Sequence, residues 1–241
     1  MNVKLILSFD GTNFYGWQVQ PNKRTVAGEL IKALKNFVDG DFKVIGCGRT
    51  DAGVHALNYV VNVKITGRLR VRVEELKYKL NKLLPDDIYV KSVETVNEGF
   101  HARFSAKSKV YRYVFLRGYD PLLRNRVYSI DCDLSVEEIG KSLKVFIGKH
   151  NFEGFSSDER DNKVCTIYDI SLSRVENFFY FEVEGDRFLR KMVRFMAGAV
   201  LMLAEGKITE GDIKMSLNTG KKIKDLTPLP PYALYLLWVK Y

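Results

Sequence analysis

The sequence contains few of the residues that build metal centres and disulfide frameworks. Its 241 residues include only three cysteines and three histidines. Cys47, Cys132 and Cys165 are odd in number and far apart, with no Cys-x-x-Cys pair and no local cluster of cysteine and histidine. These absences argue against a zinc site and a disulfide-rich secreted fold, and they favour a cytoplasmic protein without a bound metal.

Long hydrophobic runs and nucleotide-binding motifs are also missing. No apolar run has transmembrane length, and the N-terminal stretch reaches Asp10 and Gly11 too early for a signal peptide. There is no Gly-Lys-Ser/Thr phosphate loop and no Gly-x-Ser-x-Gly elbow, and the stretch beginning Gly46-x-Gly48 lacks the third glycine of a dinucleotide fingerprint. We therefore expect no membrane association, and nucleotide-cofactor or serine-hydrolase chemistry fits poorly.

Positive charge exceeds negative charge only in the first half of the chain. The net charge is +9, and residues 1–118 carry 20 Lys/Arg against 11 Asp/Glu, whereas residues 119–241 carry 18 of each. A one-sided positive field is expected for a protein that binds a polyanion. A basic protein without such a partner is an equally simple interpretation of the charge alone.

Hydrophobic periodicity predicts the same order of elements, β-α-β-β-α-β, in both halves. Thr25 caps the first helix, Pro85 stops the second, and Ser135 with Glu138 forms a capping box for the third. In the first half the predicted elements are 3–9, 26–37, 42–47, 57–65, 73–83 and 88–96. In the second half they are a strand at 109–116, a helix at 135–146, a hairpin of 165–175 and 178–184, helices at 188–203 and 209–217, and a strand at 233–239.

Two such split β-α-β units (ferredoxin-like, RRM-like halves) predict an α+β fold with a mainly antiparallel sheet and helices on one face. If the two sheets join, a central cleft that could bind RNA forms on the open face. The boundary falls near residue 106, which gives domains 1–106 and 107–241. No Pro/Ser-rich linker separates them, so we expect one compact body.

Residues 46–56 combine glycines, a cation and a carboxylate more densely than any other stretch between two apolar runs. Gly46, Gly48 and Gly53 allow positive φ or close approach to a ligand, so that Arg49 and Asp51 are presented on a tight, ordered loop. Such a loop can position side chains for ligand binding or catalysis. A charged turn between two strands explains the same residues.

Cations and aromatic residues occur together at three further places. Four cations at and just before the start of the helix predicted at 188–203 share one helical face: Arg187, Arg190, Lys191 and Arg194. This face is either exposed to solvent or binds phosphate, or one of its arginines turns inward and holds a carboxylate. On the strand at 109–116, Tyr111 and Tyr113 point one way and Arg112 the other, as core residues or as a platform for an extruded base. Residues 100–106 mix cations and aromatics as RNA-binding surfaces do.

Six stretches of the sequence together resemble the TruA-type tRNA pseudouridine synthases, in that family's order. They are residues 10–18, 48–56, 100–104, 111–113, 188–194 and 233–236. The resemblance implies an isomerase that converts uridine to pseudouridine at positions 38, 39 and 40 of the anticodon stem-loop of tRNA. It also implies no metal or organic cofactor, a homodimer, and two ferredoxin-like halves that meet over an active-site cleft.

The resemblance also implies roles for individual residues. Asp51 is the catalytic carboxylate, acting as a nucleophile on the sugar or through a glycal route, and Arg194 holds it ionised and oriented. Tyr111 stacks on the target base and assists removal of the C5 proton. Arg49 engages the RNA backbone or keeps the uridine extruded, and Leu234 walls the base pocket. Three further cations are assigned to substrate binding: Arg187, Arg190 and Lys191.

The chain departs from the family pattern outside the central motif. Cys165 stands where the family often has a cation, residues 195–197 replace an Asn-containing stretch, and Ala233 stands where glycine is common. Two other functions remain open from the residues: a non-catalytic RNA-binding protein with RRM-like sheets, and a base-excising glycosidase in which water attacks the sugar.

Overall fold

The chain folds as two compact units in the computed structural model, which describes residues 1–159 and 161–241. Unit 1 comprises Met1–Lys107 together with Leu236–Tyr241, and unit 2 comprises Ser108–Tyr235. The chain therefore returns to unit 1 after unit 2 is complete. None of the described helices is both long and apolar enough to cross a membrane.

Unit 1 is an antiparallel sheet with two helices. Its elements are β1 (Asn2–Phe9), α1 (Val26–Leu34), β2 (Val38–Asp39), β3 (Phe42–Gly46), β4 (His55–Ile65), β5 (Arg68–Leu69), α2 (Val73–Leu83) and β6 (Ile88–Val96). β1 lies between β6 and β4 and pairs antiparallel with both. β3 also pairs with β4, and β2 pairs with β5 apart from this sheet. The last strand, β12 (Leu234–Lys240), lies next to β4.

The sequence accounts for these elements locally. The hydroxyl of Thr25 accepts a hydrogen bond from the Gly28 N–H and so caps α1, whose Leu30 and Leu34 are fully buried. Leu5 and Leu7 of β1 are also fully buried, two residues apart, as expected for a strand with one face in the core. The predicted helix at 73–83 and strand at 88–96 are confirmed at both ends.

Unit 2 packs an aromatic core against its own set of β-strands. Its elements are β7 (Ser108–Arg117), β8 (Tyr128–Ile130), α3 (Val136–Leu143), β9 (Gly148–Asn151), β10 (Val164–Val175), β11 (Phe178–Gly185), α4 (Met192–Ala204) and α5 (Glu210–Thr219). The sheet order is β7-β11-β10-β9 with antiparallel neighbours, and β8 adds to β7 in parallel. Several of the largest fully buried side chains are aromatic residues of this unit: Tyr113, Phe115, Phe146, Phe152, Phe155, Phe179 and Phe181.

The predicted α+β class with a mainly antiparallel sheet is confirmed, but the second half is more than a repeat of the first. It contains the additional strands β8 and β9, and unit 1 contains the short pair β2 and β5. These strands are two to four residues long, and β9 contains Gly148, Lys149 and His150. They lack the alternation of apolar and polar residues on which the sequence prediction depends. Only their hydrogen bonds to neighbouring strands identify them as strands.

The capping box predicted at Ser135 and Glu138 is wrong. Within the described part of the chain, the Ser135 side chain makes no capping hydrogen bond, and its backbone ψ is 95°. The hydroxyls of Thr25 and Thr209, which do cap, are on residues with ψ of 151° and 167°. The capping box of this protein lies instead at the start of α5, where Thr209 and Asp212 bond each other's backbone N–H groups.

Candidate active site

The glycine-rich stretch is the connection between β3 and β4 in unit 1. Cys47 at its start and Val54 at its end are buried, and the Cys47 N–H donates to the carbonyl of Val60 at 2.9 Å. Between these anchors Arg49 is exposed and Asp51 is half-buried. β4 begins at His55, two residues before the predicted start at 57. The connection is therefore short and fixed at both ends.

A second segment, residues 10–17, holds the backbone on both sides of Asp51. The Trp17 N–H donates to the Thr50 carbonyl at 3.4 Å, and the Gly53 N–H donates to the Phe14 carbonyl at 3.2 Å. The carbonyl of Asp51 itself accepts a hydrogen bond from the Val54 N–H at 3.3 Å. Backbone hydrogen bonds thus fix the chain directly before and after Asp51.

Two glycines of the segment 10–17 permit this contact. A Cβ on Gly16 would lie 2.3 Å from the Thr50 carbonyl oxygen, and Gly16 has a φ of +81°. A Cβ on Gly11 would lie 2.0 Å from the Val54 carbonyl oxygen. Any side chain at either position would force the two backbones apart. The sequence interpretation assigned this role to the glycines of the loop itself and did not find Gly11 and Gly16.

Side chains beneath the loop complete its support. Tyr59 is fully buried and donates its hydroxyl hydrogen bond to the carbonyl of Gly48. Its ring lies 4.4 Å from that of Trp17, centroid to centroid. His55 is also buried, and its Nδ1 accepts a hydrogen bond from the Gly11 N–H at 3.0 Å. His55 therefore joins the loop to the segment 10–17, which explains a histidine in this motif without assigning it chemistry.

The remaining predicted site residues belong to unit 2. Tyr111 is in β7, opposite Val183 of β11, and is 9% exposed. Its ring meets that of Phe188 edge-on, with centroids 5.0 Å apart. Leu234 is the first residue of β12, directly after a 3-10 turn at Pro231–Ala233, and is 6% exposed. Both side chains are thus held in place by packing.

The cationic stripe predicted along one helix is wrong. α4 begins at Met192, so Arg187, Arg190 and Lys191 lie in the non-helical segment before it and only Arg194 is helical. The backbone of Lys191 explains why the helix starts late. Its left-handed φ of 62° cannot be part of a right-handed helix. The Arg190 carbonyl, which a longer helix would use as an acceptor, instead accepts from the Ser157 N–H at 3.1 Å.

The start of α4 is electrostatically unfavourable for an isolated helix. Lys191 precedes its first turn with a left-handed φ of 62°, Arg194 lies within that turn, and the turn contains no acidic residue. The positive end of the helix dipole favours anions, so two cations there oppose it. A bound anion such as a phosphate would relieve this repulsion.

Arg194 is fixed to the chain segment that precedes β12. Its Nε–H donates to the Leu229 carbonyl at 2.6 Å, and the Leu229 N–H donates to the Arg194 carbonyl at 3.1 Å. Tyr113, fully buried, donates its hydroxyl hydrogen bond to the neighbouring Pro230 carbonyl at 2.9 Å. Because Nε is used in this way, a two-point contact of Arg194 with a carboxylate would use the two terminal nitrogens.

Burial raises the pKa of Tyr113 above its ordinary value of 10.0, and the nearby tyrosines Tyr232 and Tyr128 act in the same direction. The positive charge of Arg194 acts in the opposite direction, but burial dominates. Tyr113 therefore serves as a neutral hydrogen-bond donor. Sequence reasoning placed it in the core and missed its connection to Arg194 through residues 229–230, for which no local pattern exists.

A comparison with protein families decides which family these residues represent. The model of the family described as tRNA pseudouridine synthase matches residues 5–105 and 143–241. This chain belongs to that family. A tRNA pseudouridine synthase A of Dictyoglomus thermophilum is 41% identical over 244 residues, covering 100% of both chains. Another of Thermoanaerobacter sp. strain X514 is 38% identical over 244 residues, covering 100% of this chain and 99% of the relative.

A comparison with solved structures gives a more distant similarity. A chain in the crystal structure of a Cbf5-Nop10-Gar1 complex is similar over 82% of this chain and 53% of its own, with 14% sequence identity and a TM-score of 0.34. This similarity is too weak to define the fold, which is therefore described from the pairing of the strands. Across residues 1–159 and 161–241 no group of three or more His, Cys, Asp or Glu side chains could hold a metal ion.

The close approach at Gly16 generates a stability prediction. Gly16→Ala should lower the free energy of unfolding, because the new side chain meets both a positive φ and the Thr50 carbonyl; we expect about 1–2 kcal/mol from φ and about 1–3 kcal/mol from the overlap. Denaturant unfolding measures the loss. Amide hydrogen exchange at Gly53 should accelerate as its bond to Phe14 weakens.

Gly118→Ala is the matched control for Gly16→Ala. Gly118 has a similar φ of +91°, but in the described part of the chain no atom lies within 4 Å of its added Cβ. The control should therefore show the φ penalty alone and no change in Gly53 exchange. Equal losses in the two variants would contradict the proposed backbone contact.

The raised pKa of Tyr113 generates a pH prediction. The folded protein keeps this hydroxyl protonated where the unfolded chain ionises it, so its contribution is complete below about pH 10 and is lost as the pH rises further. Tyr113→Phe should be less stable than wild type at neutral pH by about 1 kcal/mol, the value of one hydrogen bond. Unfolding at stepwise higher pH should show this difference shrinking, and a constant difference would argue against a buried, neutral hydroxyl.

Proposed function

We propose that this chain converts uridine to pseudouridine in the anticodon stem-loop of tRNA, at positions 38, 39 and 40, with Asp51 as the catalytic carboxylate. The observation that carries the proposal is the half-buried Asp51 in a connection whose backbone is bonded on both sides, at Thr50 and Gly53, to the segment 10–17. Membership of the tRNA pseudouridine synthase family supports it. A carboxylate held in this way is a reactive group in a fixed position.

The reaction requires one group that acts at the sugar. The C1′–N1 bond breaks, the base turns, and C5 bonds to C1′, while a proton leaves C5 and one is gained at N1, so that the product is an isomer of the substrate. As a nucleophile, Asp51 bonds to C1′ when N1 leaves and is released when C5 attacks. In the glycal route it instead removes a proton from C2′ and returns it. Both routes need the ionised carboxylate.

Arg194 and Tyr111 are proposed to complete the site. The fixed guanidinium of Arg194 would hold the Asp51 carboxylate ionised and oriented through its terminal nitrogens. Tyr111 would stack on the target base, with its ring position set by Phe188, and would assist removal of the C5 proton. Leu234 would form an apolar wall of the base pocket. Each of these side chains is buried or half-buried, as preorganised groups need to be.

The cations supply attraction to the RNA backbone. Arg49 is exposed two residues before Asp51 and is suited to hold the extruded nucleotide. Lys191 directly precedes the first turn of α4, where the helix dipole favours an anion, and this supports a phosphate contact there. RNA binding is proposed for three residues of that segment: Arg187, Arg190 and Lys191. Cys165 is buried, and its side chain is unsuited to an RNA contact.

We further propose that the chain acts in the cytoplasm as a homodimer. Sedimentation of the purified protein would test the dimer.

Replacing the carboxylate tests the function. Asp51→Asn should lower the rate of pseudouridine formation on a tRNA transcript by roughly 10³-fold or more, because the amide can neither attack C1′ nor accept the C2′ proton. Binding of tRNA should remain. Asp41→Asn, an exposed acidic residue of the same unit, is the control and should retain activity.

The outcomes separate the alternatives. Unchanged activity of Asp51→Asn would sink the catalytic assignment, and a wild-type chain that binds tRNA without modifying it would favour a non-catalytic RNA-binding protein. Release of free uracil would indicate a glycosidase. Mapping of the modified nucleotides tests positions 38, 39 and 40 separately from the chemistry.

A double-mutant cycle tests the pairing of Arg194 with Asp51. Arg194→Lys keeps the charge but loses the planar two-point contact and the Nε–H bond, so the rate should fall by about 10²-fold. If the two residues act as a unit, the variant with both Asp51→Asn and Arg194→Lys should be little slower than Asp51→Asn alone. Multiplied losses would show independent roles. Arg174→Lys, an exposed arginine bonded to Asp133, is the control.

A further inference from the structure

An exposed phenylalanine stands out on the turn formed by residues 100–105, here called the aromatic turn. Phe104 is 75% exposed, and its ring stacks on that of His101 with centroids 4.3 Å apart. The guanidinium of the exposed Arg103 lies 5.5 Å from the Phe104 ring centroid. Single exposed apolar residues are common and need no function. The way in which this one is held makes it different.

The aromatic turn is closed by its own hydrogen bonds. The N–H groups of Arg103 and Phe104 both donate to His101 Nδ1 at 3.2 Å. The His101 N–H donates to Ser105 Oγ at 3.1 Å, and the Ser105 N–H returns a bond to the His101 carbonyl at 2.9 Å. Burial lowers the pKa of His101, which favours the neutral ring that can accept both bonds. The Phe104 ring is therefore preorganised.

A buried polar network anchors the aromatic turn to the sheet. The Ala102 N–H donates to Asn62 Oδ1 at 2.8 Å, and Asn62 Nδ2 donates to Asn2 Oδ1 at 3.0 Å. Asn2 in turn donates to the carbonyls of Asn97 and Phe100, both at 2.9 Å. Asn2 and Asn62 are at most 1% exposed. A loop without a function would not need to be fixed by buried side-chain hydrogen bonds of this kind.

Cations lie near the aromatic turn. The guanidinium of Arg103 is beside the Phe104 ring, and the charges of Lys64, Lys43 and Arg103 all act to lower the pKa of His101. The Lys64 ammonium donates to the Glu98 carbonyl at 3.2 Å. Lys43 and Lys64 face each other across β3 and β4. Two acidic residues at this end of the sheet are paired with other cations, Glu94 with Lys4 at 2.8 Å and Glu98 with the N-terminal amine at 3.2 Å.

The aromatic turn and the Asp51 loop lie at opposite ends of β1. Asn2 at the first residue of β1 holds the turn, whereas Phe9 at its last residue leads into Gly11, which contacts Val54. Seven steps along a strand span about 23 Å. A group bound on the aromatic turn is therefore not the nucleotide that reacts at Asp51.

We propose that the aromatic turn is a second RNA-binding surface, on which Phe104 stacks against an unpaired base while Lys43, Lys64 and Arg103 contact neighbouring phosphates. An exposed aromatic ring flanked by cations is the arrangement by which proteins hold single-stranded nucleic acid. A second copy of this chain is disfavoured as the occupant, because a unit with an excess of positive charge would meet its like. That the RNA is the tRNA substrate rests on the proposed function.

Binding measurements that do not depend on turnover test this surface. Phe104→Ala should raise the Kd for a tRNA transcript about tenfold, as expected for the loss of one stacked base, whereas Phe104→Trp should keep wild-type affinity. Arg103→Gln should reduce the slope of log Kd against log salt concentration by about 1. Tyr168→Ala is the matched control, since Tyr168 is 52% exposed but is followed by the acidic Asp169, and its Kd should equal that of wild type.

The possible outcomes distinguish failure of the second surface from failure of the proposed function. An unchanged Kd for Phe104→Ala, or an equal rise for Tyr168→Ala, would overturn the second surface even if the wild-type chain modifies tRNA. A changed sedimentation coefficient of Phe104→Ala with unchanged Kd would instead indicate a protein partner and also overturn it. A wild-type chain that binds tRNA but forms no pseudouridine would contradict the proposed function and leave the Kd comparison decisive.

Discussion

The close contact between the backbone of residues 10–17 and that of residues 50–54 is the constraint on which the candidate site depends. Two glycines without side chains, Gly11 and Gly16, bring carbonyl and amide groups of the two segments within hydrogen-bond distance. This contact positions the backbone of Asp51 through its neighbours in the chain. A catalytic group held through backbone bonds keeps its place while its own charge and partners change during a reaction.

The second part of the proposed site uses a different physical device. The structure places Lys191 and Arg194 at the positive end of a helix, against the preference of the dipole, and fixes Arg194 through the carbonyl of Leu229. Such an arrangement costs stability in the free protein. The proposed pairing of Arg194 with the Asp51 carboxylate would offset part of this cost, and the proposed phosphate contact at Lys191 would offset the rest.

Local patterns in the sequence predicted the long elements and the residues of the central motif, but not the contacts between distant segments. The helix at Val73–Leu83 has both apolar periodicity and a proline stop, and it was predicted to the residue. The start of α4 was misplaced because Lys191 has a left-handed φ and the Arg190 carbonyl accepts from the distant Ser157 N–H, which periodicity cannot reveal. Asp51 was recognisable as a candidate because its motif is local in the sequence. The roles of Gly11 and Gly16 and the bond from Tyr113 to Pro230 depend on contacts between distant segments, which only the structure shows.

β1 connects two surfaces that are built on opposite principles. At its C-terminal end the absence of side chains at Gly11 and Gly16 allows backbone to meet backbone, and at its N-terminal end the buried amides of Asn2 and Asn62 bind the backbone of the aromatic turn. Both devices fix a loop to the same rigid strand, so the distance between Asp51 and Phe104 is set by the length of that strand. A substrate that reaches both ends must itself be long and shaped, which is a property of a folded RNA and not of a single nucleotide.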